Sequence, residues 1–182
     1  MLEGERNLIT KAKSGETEAF GLIYDHYLPK IYRFILMKVS RREEAEDITH
    51  QVFLKAWTSI GTHYSEMDLP FSSWLYRIAK NAVIDHYRRE RPTLNIDDHE
   101  GVDELITRHD LDLKIDLENK TKELLEAVRS LKETEQEVIT MRFVEDLSTK
   151  EVAEAIGKSE GAVKVIQHRA IESLRKKLQK ED

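Results

Sequence analysis

Residues Thr149 to His168 read TKEVAEAIGKSEGAVKVIQH, and this stretch decides the fold. Two helices that cross at a tight turn need a small residue at the crossing, a residue tolerant of positive φ in the turn, and apolar anchors that fix the second helix. Ala153 meets the first need, Gly157 the second, and Val152, Ile156, Val163 and Ile166 the third. Just upstream, Ser148-Thr149-Lys150-Glu151 sets a hydroxyl three residues before a carboxylate, a capping box that starts the first helix, while Ser159 is placed to cap the second. The expected unit is a helix-turn-helix. It leaves Lys158, Ser159, Glu160, Gly161, Ala162, Lys164, Val165, Gln167, His168 and Arg169 near the amino half or outer surface of the second helix, where a recognition helix meets base edges and phosphates. Lys158, Lys164 and Arg169 would neutralise phosphates, and Gln167 and His168 offer hydrogen bonds. The same geometry also serves as a small packing module that binds protein, so the motif alone leaves both uses open.

A second informative segment lies upstream: FSSWLYRIAKNAVIDHYRRER, Phe71 to Arg91. Helical spacing puts Trp74, Leu75, Ile78, Ala82 and Val83 on one side and Arg77, Lys80, Asp85, Arg88 and Arg89 largely on the other, and Pro92 ends the helix. A core-facing helix with a solvated face explains this pattern. So does a surface for single-stranded nucleic acid, with aromatic rings to stack bases, cations for phosphates, and the irregular loop Gly61–Pro70 (His63, Tyr64, Met67) to receive an unstacked base.

The remaining chain is helical in spacing, low in Gly and Pro, and contains no stretch that alternates as a strand does. A helix is expected from Thr17 through Phe20, Ile23, Tyr27, Ile31, Phe34 and Ile35, kinked or interrupted at Pro29. Ser40-Arg41-Arg42-Glu43 reads as a capping box opening a helix through Ile48, Val52, Phe53 and Ala56 to Trp57, and Thr134-Glu135-Gln136-Glu137 as another. From Asn95 to Asn119 Asp and Glu dominate, with room for a short helix near Val102 to Arg108; the change in composition marks a linker between two domains. Boundaries follow at 1–94, 95–119 and 120–182.

Of 182 residues none is cysteine, which excludes a disulfide framework and thiolate metal sites and accords with a reducing, cytoplasmic setting. No apolar run reaches membrane-spanning length, and the amino terminus lacks a signal-peptide pattern. The seven histidines are dispersed, and HEGVD at His99 is not the zincin pattern, so neither metal nor cofactor is expected. Without a Gly-rich phosphate loop or a nucleophile-and-base arrangement, an enzyme is not expected either. The net charge of −6 argues against DNA if taken as a sum, but the acids concentrate in the linker.

Three segments in this order, EEAEDITHQVFLKAW (Glu43–Trp57), FSSWLYRIAKNAVIDHYRRER and the carboxyl-terminal helix-turn-helix through SEGAVKVIQHRAIESLRKKL, with an acidic linker between, resemble an extracytoplasmic-function sigma factor of the sigma-70 family. The resemblance covers nearly the whole chain. It implies an all-α protein of two helical domains that binds core RNA polymerase, directs it to promoters and promotes strand opening. Glu46, Asp47, Gln51 and Phe53 match the positions that dock on the polymerase clamp helices, although Phe53 and Trp57 also suit a core. The loop and helix from Gly61 to Arg91 match the element that captures the minus-ten strand; His63, Tyr64, Met67, Arg77, Lys80, Asn81, Arg88 and Arg89 are the matching candidates. The second domain matches region four, which reads the minus-thirty-five element. An anti-sigma partner is also implied. Glu90, Glu160, the Ile166-Gln167 pair and His168 depart from the family pattern, which leaves the upstream sequence preference open. A stand-alone repressor with a dimerising amino-terminal domain and a helical adaptor protein are the competing readings.

Overall fold

The computed structural model describes residues 2–39, 41–64, 69–90 and 119–179. The described residues form helices and turns: α1 (Glu5–Lys13), α2 (Thr17–Leu36), α3 (Arg42–Ser59), α4 (Phe71–Glu90), α5 (Asn119–Arg129), α6 (Glu133–Ile139), a π-helical turn (Thr140–Val144), α7 (Thr149–Ile156) and α8 (Glu160–Leu178). Met67, Pro92, the segment 95–118 and the short helix expected near Val102 to Arg108 lie outside the described residues.

Helix α1 was not expected from the sequence. Its few apolar residues are used efficiently: Ile9 and Ala12 are buried against α2, and the Tyr27 hydroxyl donates to the Glu5 carboxylate. Helix α2 runs through Pro29 as one helix, so of the kink or interruption expected there the interruption does not occur. A proline inside a helix costs about 3 kcal/mol. Burial of Ile23 and Tyr27 before it, and of Ile31, Phe34 and Ile35 after it, keeps both halves on one core and outweighs that cost.

Two helix starts also differ from expectation. Helix α3 has Arg41 as its N-cap, with the Glu44 carboxylate accepting the Arg41 backbone N–H at 3.2 Å and its Nε at 2.6 Å, so the reciprocal contact falls one residue after the Ser40-Glu43 pair. Helix α6 begins at Glu133 after Lys132, which places Thr134 inside the first turn. The cause is tertiary: Glu133 is buried beside the Lys38 ammonium, at 3.7 Å. The π turn follows directly. There the Glu145 N–H donates to the Thr140 carbonyl and the Leu147 N–H to the Met141 carbonyl, and the wider turn leaves Phe143 and Val144 exposed and Asp146 at a φ of 55°.

The two halves share one core. Ile23, Phe34, Val52, Phe71, Leu75 and Tyr76 from α2–α4 pack with Val138, Met141, Leu147, Val152, Ile156 and Val163 from the carboxyl-terminal half. A smaller cluster of Val128, Leu131, Ile139 and Ala170 fastens α5 and α6 to α8. Helix α4 lies against α7 along its first turns.

Charged groups line the seam between the halves. Arg33 donates to both carboxylate oxygens of buried Glu145, at 3.1 and 3.0 Å. Lys38 and Lys80 both reach Glu137, at 3.4 and 3.1 Å, and the Glu137 side chain is 0% exposed. Ser72 donates to the Glu151 carboxylate, Ser73 to the Glu151 carbonyl and the Glu154 carboxylate, and Arg77 to the Glu154 carbonyl. Burial pushes the Glu145 carboxyl up, and Arg33 offsets this only in part. Burial acts the same way on Glu151. There, hydrogen bonds from the Ser72 hydroxyl and from the backbone and hydroxyl of Ser148 outweigh it, and the carboxyl sits below its ordinary 4.5.

Two expected outcomes follow from the seam. Breaking a buried ion pair by removing one partner costs about 3–5 kcal/mol, because the other charge stays buried without compensation; Glu137→Ala should lower the urea-unfolding free energy by that order. Because the folded Glu151 carboxyl is the stronger acid, the unfolded chain binds more protons between the two pKa values. Its contribution is therefore fully present above pH 4.5 and lost as pH falls through the lowered folded value. The melting-temperature gap between the native chain and Glu151→Gln should narrow on acidification through that window.

Candidate nucleic-acid interface

Helices α7 and α8 form the expected helix-turn-helix. The Ser148 hydroxyl accepts the Glu151 N–H at 3.2 Å, and the Glu151 carboxylate accepts the Ser148 N–H at 2.8 Å, completing the capping box. Gly157 ends α7 in the left-handed region at φ 69°, ψ 36°, which glycine enters without a Cβ clash, and the Lys158 N–H closes the turn onto the Ala153 carbonyl at 2.9 Å. The Ser159 hydroxyl then caps α8 by accepting the Ala162 N–H. Val152, Ala153, Ile156 and Val163 are buried and Ile166 packs partly against them, so the predicted anchors all hold the second helix.

Outward from these anchors, Lys158, Ser159, Glu160, Gly161, Lys164, Val165, His168 and Arg169 are exposed and Gln167 is half-buried. Ala162, also expected there, is half-buried as Gln167 is. The His168 ring lies 3.8 Å from the Glu172 carboxylate, one turn further along the helix. Ser159 offers its hydroxyl mainly to its own helix.

The second candidate element begins in the turn after α3. His63 is exposed, its Nδ1 3.0 Å from the Thr62 hydroxyl. Tyr64 is half-buried and sits in an aromatic group: its ring centroid is 5.0 Å from Trp74 and 5.5 Å from Phe71, with the Lys13 ammonium 4.8 Å above it. The Tyr64 hydroxyl donates to the Leu69 carbonyl. Trp74 is core. Along α4, Asn81, Arg88 and Arg89 are exposed. Arg77 and Lys80 are half-buried, because each is held by a group of the carboxyl-terminal half. The Tyr87 hydroxyl donates to the Lys38 carbonyl, a structural contact.

The third element is the outer face of α3. Glu46, Asp47 and Gln51 are exposed together, but Phe53 is not part of that face. Phe53 is 3% exposed and packs edge-on to Tyr24 with centroids 4.7 Å apart, so it belongs to the core beneath the helix. Leu54 is the apolar residue that the face does present, at 66% exposed. It lies three residues after Gln51, off the buried stripe of Ile48, Val52 and Ala56, which is the signal that would have found it. A groove of about 380 Å³ lined by Tyr24, Leu28, Pro29, Tyr32, Glu46, Thr49 and His50 opens beside Glu46.

Among the described residues no His, Asp and Glu group is arranged to hold a metal ion, and no helix is long and apolar enough to cross a membrane.

The family model described as Sigma-70 region 2 matches residues 23–93, and that described as Sigma-70, region 4 matches residues 127–176. The chain is 39% identical over 169 residues to the ECF RNA polymerase sigma factor BldN of Streptomyces coelicolor, covering 92% of this chain and 63% of that protein. It is 30% identical over 181 residues to the ECF RNA polymerase sigma factor SigW of Bacillus subtilis, covering 93% of this chain and 94% of that one. Among solved structures, CnrH in complex with the cytosolic domain of CnrY superposes with a TM-score of 0.70 at 22% identity over 98% of this chain and 99% of that one. The sigma factor RpoE in complex with the anti-sigma factor NepR from Bartonella quintana gives 0.69 at 21% identity, over 88% and 96%. These two likenesses concern the fold. With region 2 across α2–α4 and region 4 across α5–α8, the chain belongs to the ECF RNA polymerase sigma factors, transcription initiation factors that direct RNA polymerase to promoters.

Proposed function

We propose that the three exposed elements divide the work of promoter selection among them. The outer face of α3, with Glu46, Asp47, Gln51 and Leu54, docks on core RNA polymerase; Phe53 supports it from below. The turn at His63 and Tyr64 and the helix α4, through Arg77, Lys80, Asn81, Arg88 and Arg89, capture the separated minus-ten strand by base stacking and phosphate contact. Met67 belongs to the same candidate set. Helix α8 enters the major groove of the minus-thirty-five element, with Lys158, Lys164 and Arg169 on phosphates and Gln167 and His168 toward base edges.

In this reading residues 1–94 and 120–182 are separate working units and 95–119 is an acidic connector. Phosphodiester chemistry stays with the polymerase, so the chain itself is not an enzyme and needs no cofactor. It works in the cytoplasm, where its polymerase and its promoters are. The structural neighbours named above are complexes with CnrY and with an anti-sigma factor, and we take an anti-sigma protein covering the polymerase-facing surfaces as a partner here as well.

One observation supports the reading: a helix-turn-helix whose second helix exposes Lys164, His168 and Arg169 away from its buried anchors Val163 and Ala170, preceded in the chain by a helix that exposes Glu46, Asp47 and Gln51. The test is transcription by core RNA polymerase from a library of random promoters, with and without this protein. A defined pair of elements should be enriched only when both are present, and no enrichment would overturn the reading. Each phosphate contact contributes about 0.9 to the slope of log affinity against log salt. Lys164→Ala/Arg169→Ala should therefore flatten that slope by about 2 for binding by the assembled holoenzyme and weaken all promoters alike.

A further inference from the structure

The two reading elements are not equally free. Lys158, Lys164 and Arg169 of the recognition helix face solvent, whereas α4 is covered at its amino-terminal half. Ser72 and Ser73 are buried in the first turn of α4, their hydroxyls donating to Glu151 and Glu154. One and two turns on, the Arg77 guanidinium donates to the Glu154 carbonyl at 2.6 Å and the Lys80 ammonium to the Glu137 carboxylate at 3.1 Å. The groups that accept hydrogen bonds from these four side chains are carboxylates and carbonyls of α6 and α7, the same kind of anionic or electron-rich oxygen that a nucleic-acid strand presents.

We propose that the carboxyl-terminal half is an intramolecular substitute for the promoter strand. Glu137, Glu151 and Glu154 occupy the face of α4 that strand capture requires, so the closed chain recognises duplex through α8 but cannot hold single-stranded DNA until the halves part. The proposal rests on Arg77 and Lys80 being strand contacts. The halves are held by the shared apolar core and by charged groups beside it: the Arg33–Glu145 pair, with Arg33 half-exposed, and the inner set Lys38, Lys80, Glu133 and Glu137. Neither Arg33 nor Lys38 belongs to a proposed DNA or polymerase contact.

The test uses the full chain, small-angle X-ray scattering, and anisotropy of a fluorescein-labelled 12-nucleotide single strand of mixed sequence. The native chain should scatter as one compact body, with a radius of gyration of about 16 Å for its length, and bind the strand weakly. Arg33→Glu sets a carboxylate against buried Glu145 and should enlarge the radius and raise strand affinity at least tenfold. That gain would run against the added negative charge, so non-specific attraction cannot produce it. Arg33→Glu/Glu145→Arg should move both readings back toward native. If Arg33→Glu stays compact, Arg33→Glu/Lys38→Glu faces Glu133, Glu137 and Glu145 together and should open the chain.

An opened variant whose strand affinity is unchanged or lower overturns the proposal, as does a chain that neither variant opens. Adding Arg77→Ala/Lys80→Ala to an opened variant separates the two ideas. Loss of the gain supports both, and retention of the gain shows that these residues are not the strand contacts although the cover is real. If opening gives no gain while Arg77→Ala/Lys80→Ala still lowers native binding, the site stands and the cover falls.

Discussion

The arrangement of the whole molecule depends on the burial of Glu137. A carboxylate with no solvent exposure must be compensated, and here two ammonium groups from different helices of the other half, Lys38 and Lys80, converge on it. Lys38 is itself almost fully buried and lies between Glu133 and Glu137. Removing four charged groups from water is expensive, and their mutual attraction repays the loss only while every partner is present. The cluster therefore adds little to stability compared with an apolar seam of equal size. It does define one relative position of the two halves, because a shifted register would leave a buried charge alone.

This constraint explains which parts of the fold were legible in the sequence. Apolar spacing of three and four located α2, α3, α4 and α8, since each buries one stripe and the stripe repeats with the helix. Local chemistry located the turn of the helix-turn-helix, because a glycine at positive φ and two serine caps act within a few residues of themselves. Where distant partners decide, local reading missed. The start of α6 follows Lys38, nearly a hundred residues away, rather than Thr134. The continuity of α2 through Pro29 follows the core on both sides of it. Helix α1 carries too few apolar residues to announce itself and forms by docking on α2.

The candidate site divides the same way. Residues on the outer face of α8 were identifiable because exposure there follows from the anchors on the opposite side of the same helix. Phe53 and Leu54 are not separable by type, both being large and apolar and adjacent in sequence; their phase against the stripe of Ile48, Val52 and Ala56 separates them, and it puts Phe53 in the core and Leu54 in solvent. Arg77 and Lys80 were correctly placed on the side of α4 away from Trp74 and Leu75, but that side turned out to be occupied rather than solvated.

The occupied face bears on how an acidic chain comes to bind DNA. With a net charge of −6, long-range attraction to a duplex is absent and would not hold the protein on random sequence. In the closed form several acids are spent internally on Arg33, Lys38, Lys80 and the serines of α4, which leaves the exposed cations of α8 with fewer competing charges nearby. Parting the halves would expose Arg77 and Lys80 together with the acids that covered them, so the open form would gain the proposed strand-binding face without becoming basic overall. Affinity for a promoter must then come from holding both reading elements at once on a scaffold that fixes their spacing, where the second contact is made at high effective concentration. On the proposed masking, a chain with weak charge attraction and a covered second element would be selective because neither element would suffice alone.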